Sequence, residues 1–244
     1  MSDFDRNYSA VRGFGADRAV AIDQGLRAHM IRVYNYMAAG VALTGVIAFA
    51  VAQYALSDAS VARALYGSPL AYVIMLAPLG LVFFLSFRIG HIQASTARLL
   101  FFVYAALLGV SLSVIFLAYT QASITRVFFV TAASFGALSL WGYTTQRSLD
   151  AMGSFMIMGL FGIIIASLVN IFLKSSGLDW IISVLGVVIF AGLTAWDTQK
   201  IKEMYDPMDD GTMAGRKAVM GALALYLDFI NMFLFLLRLF GDRR

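Results

Sequence analysis

LYLDFINMFLFLLRLF, residues 225–240, is apolar enough to lie in a lipid bilayer, yet Asp228 stands within it. An apolar run of about 20 residues can cross a bilayer as a helix, and this stretch completes such a run over residues 218–240. A carboxylate near the middle of a membrane helix costs about 2.5–3.5 kcal/mol on insertion scales and usually faces the bundle interior. The stretch therefore predicts a membrane helix with a protonatable group on its protein-facing side.

The composition of the whole chain also indicates a membrane protein. Of its 244 residues, 61% are hydrophobic and 13% are charged, whereas soluble domains have about 25% charged residues. The chain has no cysteine, and its two histidines, His29 and His91, are isolated, which argues against a disulfide framework, a thiol nucleophile or a zinc site. No basic patch is interleaved with aromatic residues, so we assign the net charge of +4 to loops that set topology rather than to nucleic-acid binding.

Seven apolar runs predict an all-α integral membrane protein, a bundle of seven transmembrane helices. Lipid offers no partners to unpaired backbone groups, so helices are the expected form of these runs. The predicted spans are 34–56, 69–87, 99–119, 124–143, 153–173, 178–196 (with a helical extension to about 205) and 218–240. Residues 1–33, which mix both charge signs and lack an apolar signal region, are predicted to be a cytosolic tail that precedes the transmembrane domain, 34–241.

The distribution of lysine and arginine among the loops predicts the orientation. With the N-terminus inside, twelve of the eighteen basic residues fall in inner segments, as the positive-inside rule requires. This count favours an N-terminus inside and a C-terminus outside, although a helix count wrong by one would move the C-terminus to the other side.

Asp197, at the inner end of the sixth predicted span, is the candidate partner of Asp228. The sixth and seventh spans form an antiparallel hairpin centred near residue 210, and reflecting Asp197 through that centre gives residue 224. Asp228 then lies about four residues deeper, roughly 6 Å along a helix. This geometry permits the carboxyl groups to meet but does not require it. Asp197 as a wetted helix end, and Asp228 as a structural hydrogen-bonding group, remain alternatives.

A carboxyl pair would have a defined chemistry if the two groups met. Two carboxylates in a poorly solvated site cannot both ionise cheaply, so they titrate as a unit. The protonated pair shares a hydrogen bond and holds two helices together, whereas the deprotonated pair repels itself or binds a cation. Oxygen ligands suit calcium, but two carboxylates alone make an incomplete calcium site.

Four other residues are candidates for support of this pair. Tyr226 and Asn231 flank Asp228, and Asn231 shares its helix face. Asn170 is a polar residue in the fifth apolar run, and interhelical hydrogen bonding would account for it equally well. Arg88 ends the second span on the inner side, where it would either pair with Asp197 or extend to the lipid headgroups.

The motifs GLTAWDTQKIKEMY (192–205) and ALALYLDFINMFLFLLRLFG (222–241), together with FVYAALLGVSLSVIF (102–116), resemble the Bax inhibitor-1 family, also called the transmembrane Bax-inhibitor-motif family. The resemblance covers residues 30–241 approximately and is greatest to proteobacterial inner-membrane members. It implies a seven-helix fold in which helix seven is central and is surrounded by the other six. It also implies a multi-pass protein of the bacterial inner membrane, with a monomer favoured.

The same resemblance implies a function. Members of the family mediate pH-sensitive calcium leak, with an aspartyl pair as proton sensor, and these aspartates correspond to Asp197 and Asp228. An arginine that engages the pair in one conformation corresponds to Arg88. The implied ligands are protons and transported calcium, which would bind transiently at the two aspartates, with no resident cofactor. Some bacterial members bind a membrane-bound AAA protease, so regulation of such a partner is the alternative function.

No enzymatic activity is expected from the sequence. An intramembrane aspartyl protease also needs two aspartates on neighbouring helices, but its GxGD motif does not occur in this chain. The leading hypothesis is therefore a pH-sensitive calcium channel or transporter.

Overall fold

The computed structural model describes the backbone of residues 3–244 and the side chains of residues 24–244. Over this range the fold is all-helical. The helices are α1 (Asp3–Ser57), α2 (Ala59–Tyr66), α3 (Leu70–Arg88), α4 (Ala94–Ala118), α5 (Gln121–Thr144), α6 (Asp150–Leu173), α7 (Ser176–Glu203) and α8 (Gly211–Phe240). The side chains of residues 1–23 lie outside the described part of the chain, so the assignment of residues 1–33 to a cytosolic tail stays a prediction.

Seven of the described helices are long and apolar enough to cross a membrane, which confirms the predicted fold class. They are α3 to α8 and the Gln24–Ser57 part of α1. Each agrees with a predicted span, but several extend further. For example, α8 begins at Gly211, seven residues before the apolar run, because the Asp210 side chain caps it by accepting a hydrogen bond from the Met213 N–H at 2.6 Å. Apolar periodicity does not register such polar first turns.

The short helix α2 lies between the first two predicted spans, where the sequence predicts no helix. Asp58 caps its start by accepting a hydrogen bond from the Ser60 N–H at 2.8 Å. At its other end, the Tyr66 hydroxyl and the Ser113 hydroxyl of α4 are 2.7 Å apart. This contact ties the connection between the first two spans to the bundle.

The last helix, α8, is the most buried helix of the described bundle, with fourteen buried residues. It packs against α7, α1, α5 and α4. In contrast, α3 packs mainly on α4, and α6 mainly on α7. The prediction that all six other helices surround the last one is therefore not confirmed. Four helices form the main packing around α8, and α3 and α6 lie further out.

Small residues allow the closest helix approaches. A Cβ atom added at Gly142 of α5 would overlap the carbonyl group of Ala195 on α7. Membrane helices associate through packing of this kind, because lipid provides no hydrophobic driving force between them. The approach fixes α7 against α5 close to Asp197.

Candidate functional site: a carboxyl pair between two helices

The structure brings Asp197 and Asp228 together. The helices that carry them, α7 and α8, form an antiparallel hairpin joined by residues 204–210. The carboxyl groups lie within hydrogen-bonding reach of each other. Asp228 is only 4% exposed, and Asp197 is partly buried. The offset of about four residues that the sequence left between them is thus closed by the packing of the two helices.

The hydrogen bonding of Asp228 indicates a role for a proton. Its Oδ2 atom is buried and has no hydrogen-bond partner among the described N–H and O–H donors. A buried oxygen without a donor carries a desolvation cost of about 1–3 kcal/mol, and more if it is charged. One proton held between the two carboxyl groups would give the pair its hydrogen bond and leave one negative charge rather than two.

A cavity of about 610 Å³ lies beside the pair, between α6, α7 and α8. Its wall on α6 is largely apolar, whereas the polar lining consists of Ser167, Asp197, Asp228 and Asn231. The Asn231 amide donates to the Leu227 carbonyl at 2.8 Å, so this side chain is held on the cavity side of α8. The pair is therefore adjacent to an open groove, whose α6 wall includes the exposed side chains of Ile164, Leu168 and Ile171, rather than enclosed by close packing.

The residues directly after Asp197 anchor the C-terminal end of α7. The Thr198 hydroxyl lies 3.3 Å from the Tyr34 hydroxyl of α1 and 3.4 Å from the Ser139 hydroxyl of α5. The Gln199 side chain accepts from the Leu149 N–H at 2.7 Å and donates to the Arg147 carbonyl at 2.9 Å. Sequence reasoning missed these positioning residues. The sequence signal that could have found them is a hydroxyl residue and an amide residue directly after an aspartate in an apolar helix.

Two of the predicted supporting residues do not reach the pair. Tyr226 is fully buried, and its hydroxyl is 2.6 Å from the Thr44 hydroxyl, so it ties α8 to α1 instead. The Asn170 side chain accepts from the Ser175 N–H at 3.0 Å and closes the turn between α6 and α7. That turn is at the opposite end of α7 from Asp197.

Arg88 does not engage the pair in this conformation. It is exposed at the end of α3, and within residues 24–244 no carboxylate lies at ion-pair distance from it. A basic residue, Lys200, lies about one turn after Asp197 on α7. Its ammonium group lies 4.5 Å from the centre of the Trp196 ring.

The pair alone does not make a complete metal site. Among the described residues, no group of three or more His, Cys, Asp or Glu side chains could hold a metal ion. Calcium takes 6–8 oxygen ligands, so backbone carbonyls or water molecules would have to supply most of them. The donor set fits a transient cation better than a resident one.

Comparison with known proteins shows similarity over most of the chain. A family model described as "Inhibitor of apoptosis-promoting Bax1" matches residues 26–244. The chain is 45% identical over 232 residues to the inner membrane protein YbhL of Escherichia coli (strain K12), which covers 94% of this chain and 97% of the relative. It is 48% identical over 222 residues to the uncharacterized protein RP147 of Rickettsia prowazekii (strain Madrid E), which covers 91% of this chain and 92% of the relative.

Proposed function

The chain belongs to the Bax inhibitor-1 family of membrane proteins, and from that premise we propose that it is a pH-sensitive calcium leak channel or transporter of the bacterial inner membrane. The observation that supports this proposal most strongly is the contact between Asp197 and Asp228. Polar groups inside a membrane bundle usually mark an ion or proton pathway.

The proposed control depends on the charge of the pair. With one shared proton, the two carboxyl groups are joined by a hydrogen bond that stabilises the contact between α7 and α8. Loss of that proton leaves two carboxylates side by side, which repel each other unless a cation lies between them. The proton and the calcium ion therefore compete for the same oxygens, and this competition would make calcium passage sensitive to pH.

The cavity beside the pair supports access for an ion. It extends along α6 from Ile157 to Ile171, about 21 Å at the rise of an α-helix. Asp197, Asp228 and Asn231 supply oxygen atoms to its lining. We assign Arg88 to a second conformation, in which its guanidinium would pair with the aspartates and replace the proton as the stabilising charge.

Calcium flux into proteoliposomes tests this function. Wild-type protein should pass calcium at a rate that changes from about pH 6 to about pH 8, and Asp197→Asn and Asp228→Asn should each remove that change. Asp206→Asn is the matched control, because Asp206 is an exposed carboxylate in the connection between the same two helices.

Unchanged flux and unchanged pH dependence in both pair variants would overturn the proposal. The alternative, regulation of a membrane-bound AAA protease, would then be tested by co-purification with and without residues 2–28. Loss of pH dependence in Asp206→Asn as well would show that any carboxylate near this hairpin matters, which would also contradict a role specific to the pair.

A further inference from the structure

A groove runs between α1 and α5, on a different side of the bundle from the carboxyl pair cavity. Its inner part is a cavity of about 400 Å³ with Arg27 and Tyr34 on one wall and Gly136, Ser139 and Tyr143 on the other. Its outer part is an apolar cavity of about 240 Å³ bounded by α1, α4, α5 and α8. The floor of the outer part includes aromatic and aliphatic side chains of α8, namely Phe229, Ile230 and Phe233.

The two cavities lie along the same face of each helix. On α1 the residues that line the two cavities, within 27–34 and 41–48, are separated by a step of seven residues, and on α5 those within 124–128 and 136–143 are separated by a step of eight. Such steps keep side chains on one face of a helix. The α1 stripe is about 31 Å long at 1.5 Å per residue, close to the hydrocarbon thickness of a bilayer, about 30 Å. The groove therefore follows the direction of a lipid acyl chain.

Two glycines leave space in the groove. A Cβ atom added at Gly136 or at Gly45 would have no atom within 4 Å, and both residues are exposed. Between α1 and α5 there is thus room for a chain of methylene groups. The neighbouring helix pairs are packed more closely than this one, α1 on α4 and α5 on α7.

The inner end of the groove is basic. Arg27 is exposed, and among residues 24–244 no carboxylate lies at ion-pair distance from it. Lys202 donates to the Tyr143 carbonyl at 2.9 Å, and its ammonium group lies 5.3 Å from the centre of the Tyr143 ring. Basic pockets between membrane helices on the cytoplasmic side bind anionic lipid headgroups.

We propose that this groove binds one anionic phospholipid of the inner leaflet. Its phosphate lies near Arg27, and one acyl chain lies between α1 and α5, over Gly136. The lipid would contact Tyr34 and Ser139, whose hydroxyls lie near that of Thr198, the residue after Asp197. Lipid occupancy would therefore support the segment of α7 that carries the pair. The proposal does not rest on calcium transport, because lipid binding is measured without flux.

Native mass spectrometry of the full chain in detergent, titrated with phosphatidylglycerol or with zwitterionic phosphatidylcholine, tests this site. Wild-type protein should bind one phosphatidylglycerol at concentrations where phosphatidylcholine does not bind. Arg27→Gln should weaken phosphatidylglycerol binding about fivefold, the effect of one basic residue near an anionic surface. Arg63→Gln is the charge control, because Arg63 is exposed on α2, outside the groove, and should leave binding unchanged.

Filling the groove gives an independent arm of the test. Gly136→Phe should remove the bound phosphatidylglycerol, and the milder Gly136→Leu should weaken its binding. Gly162→Phe is the matched control, because Gly162 is equally open but lies on α6. A melting temperature close to wild type would show that each variant is folded.

Three results would overturn the proposal. Equal binding of the two lipids would show that the protein does not select an anionic headgroup. Equal loss of lipid in the Gly136 and Gly162 variants would show that the lipid is merely annular. A dimer that Gly136→Phe disrupts would show that a second copy of the chain covers the groove instead.

Discussion

The helices α6 and α8 are both long and apolar, but they occupy different surroundings. Two residues of α6 are buried in the bundle, whereas fourteen residues of α8 are. The less apolar helix of the two, α8, is the one inside. Lipid is as good a solvent as protein for the apolar side chains of α6, while the carboxyl group of Asp228 requires protein partners. For these two helices, the intramembrane carboxyl group therefore indicates which one is interior, whereas mean hydropathy does not.

Removing a large side chain should give the largest difference between these helices in the loss of unfolding free energy. Tyr226 is fully buried in α8, and its ring packs edge-on against those of Phe101 and Tyr104. Tyr226→Ala should lower the free energy of unfolding by about 3 kcal/mol, because it leaves a cavity where the ring was. Phe161→Ala on α6, where the ring is 63% exposed, should change it by less than about 0.5 kcal/mol. Unfolding in mixed detergent–SDS micelles measures both, and equal losses would contradict the assigned packing.

A smaller difference should come from adding one methyl group. A Cβ atom at Gly186 of α7 would lie 2.6 Å from the Phe235 ring of α8, so Gly186→Ala should cost about 1–3 kcal/mol through overpacking. Gly162→Ala on α6 meets no atom within 4 Å and should be neutral or stabilising, because alanine favours a helix more than glycine does. The same unfolding assay compares them. A stabilising Gly186→Ala would mean that α7 and α8 are less closely packed than described.

The smallest expected effect concerns the hydroxyl contacts beside Asp197. Tyr34→Phe removes the contact with Thr198 at 3.3 Å and should lower the free energy of unfolding by about 0.5–1 kcal/mol. Tyr72→Phe on α3, where the side chain is 69% exposed, is the matched control and should have no effect. A loss of more than about 2 kcal/mol in Tyr34→Phe would show that this hydroxyl carries more than one hydrogen bond.

The seven-helix fold class was predictable because each apolar run must cross the same thickness of lipid. The family resemblance is likewise confirmed, by the family model that matches residues 26–244. The start of α8 at Gly211 and the whole of α2 were not predicted, because hydropathy does not detect the capping side chains that begin these helices. Apolar periodicity alone did not identify α8 as the most buried helix, since lipid-facing and protein-facing apolar residues look alike.

The candidate site was predictable only in part. Depth along the hairpin allowed Asp197 and Asp228 to meet, but only the packing of α7 on α8 decides that they do. Which partner each of the other polar residues contacts depends on the side of its helix from which the side chain projects. Tyr226 is two residues from Asp228, yet its hydroxyl meets Thr44 of α1. Hydrogen-bond partners from distant helices are not encoded in local spacing.

The central claim is that Asp197 and Asp228 share a proton, and infrared titration of the carboxyl groups in reconstituted protein tests it most directly. A protonated carboxyl band should be present in wild type at low pH and should disappear as the pH rises and the pair loses its proton. Asp228→Asn should remove the shared band, whereas Asp206→Asn should retain it. A wild-type band that titrates identically in Asp228→Asn, or the absence of any such band at a pH where exposed aspartates are ionised, would contradict the shared proton.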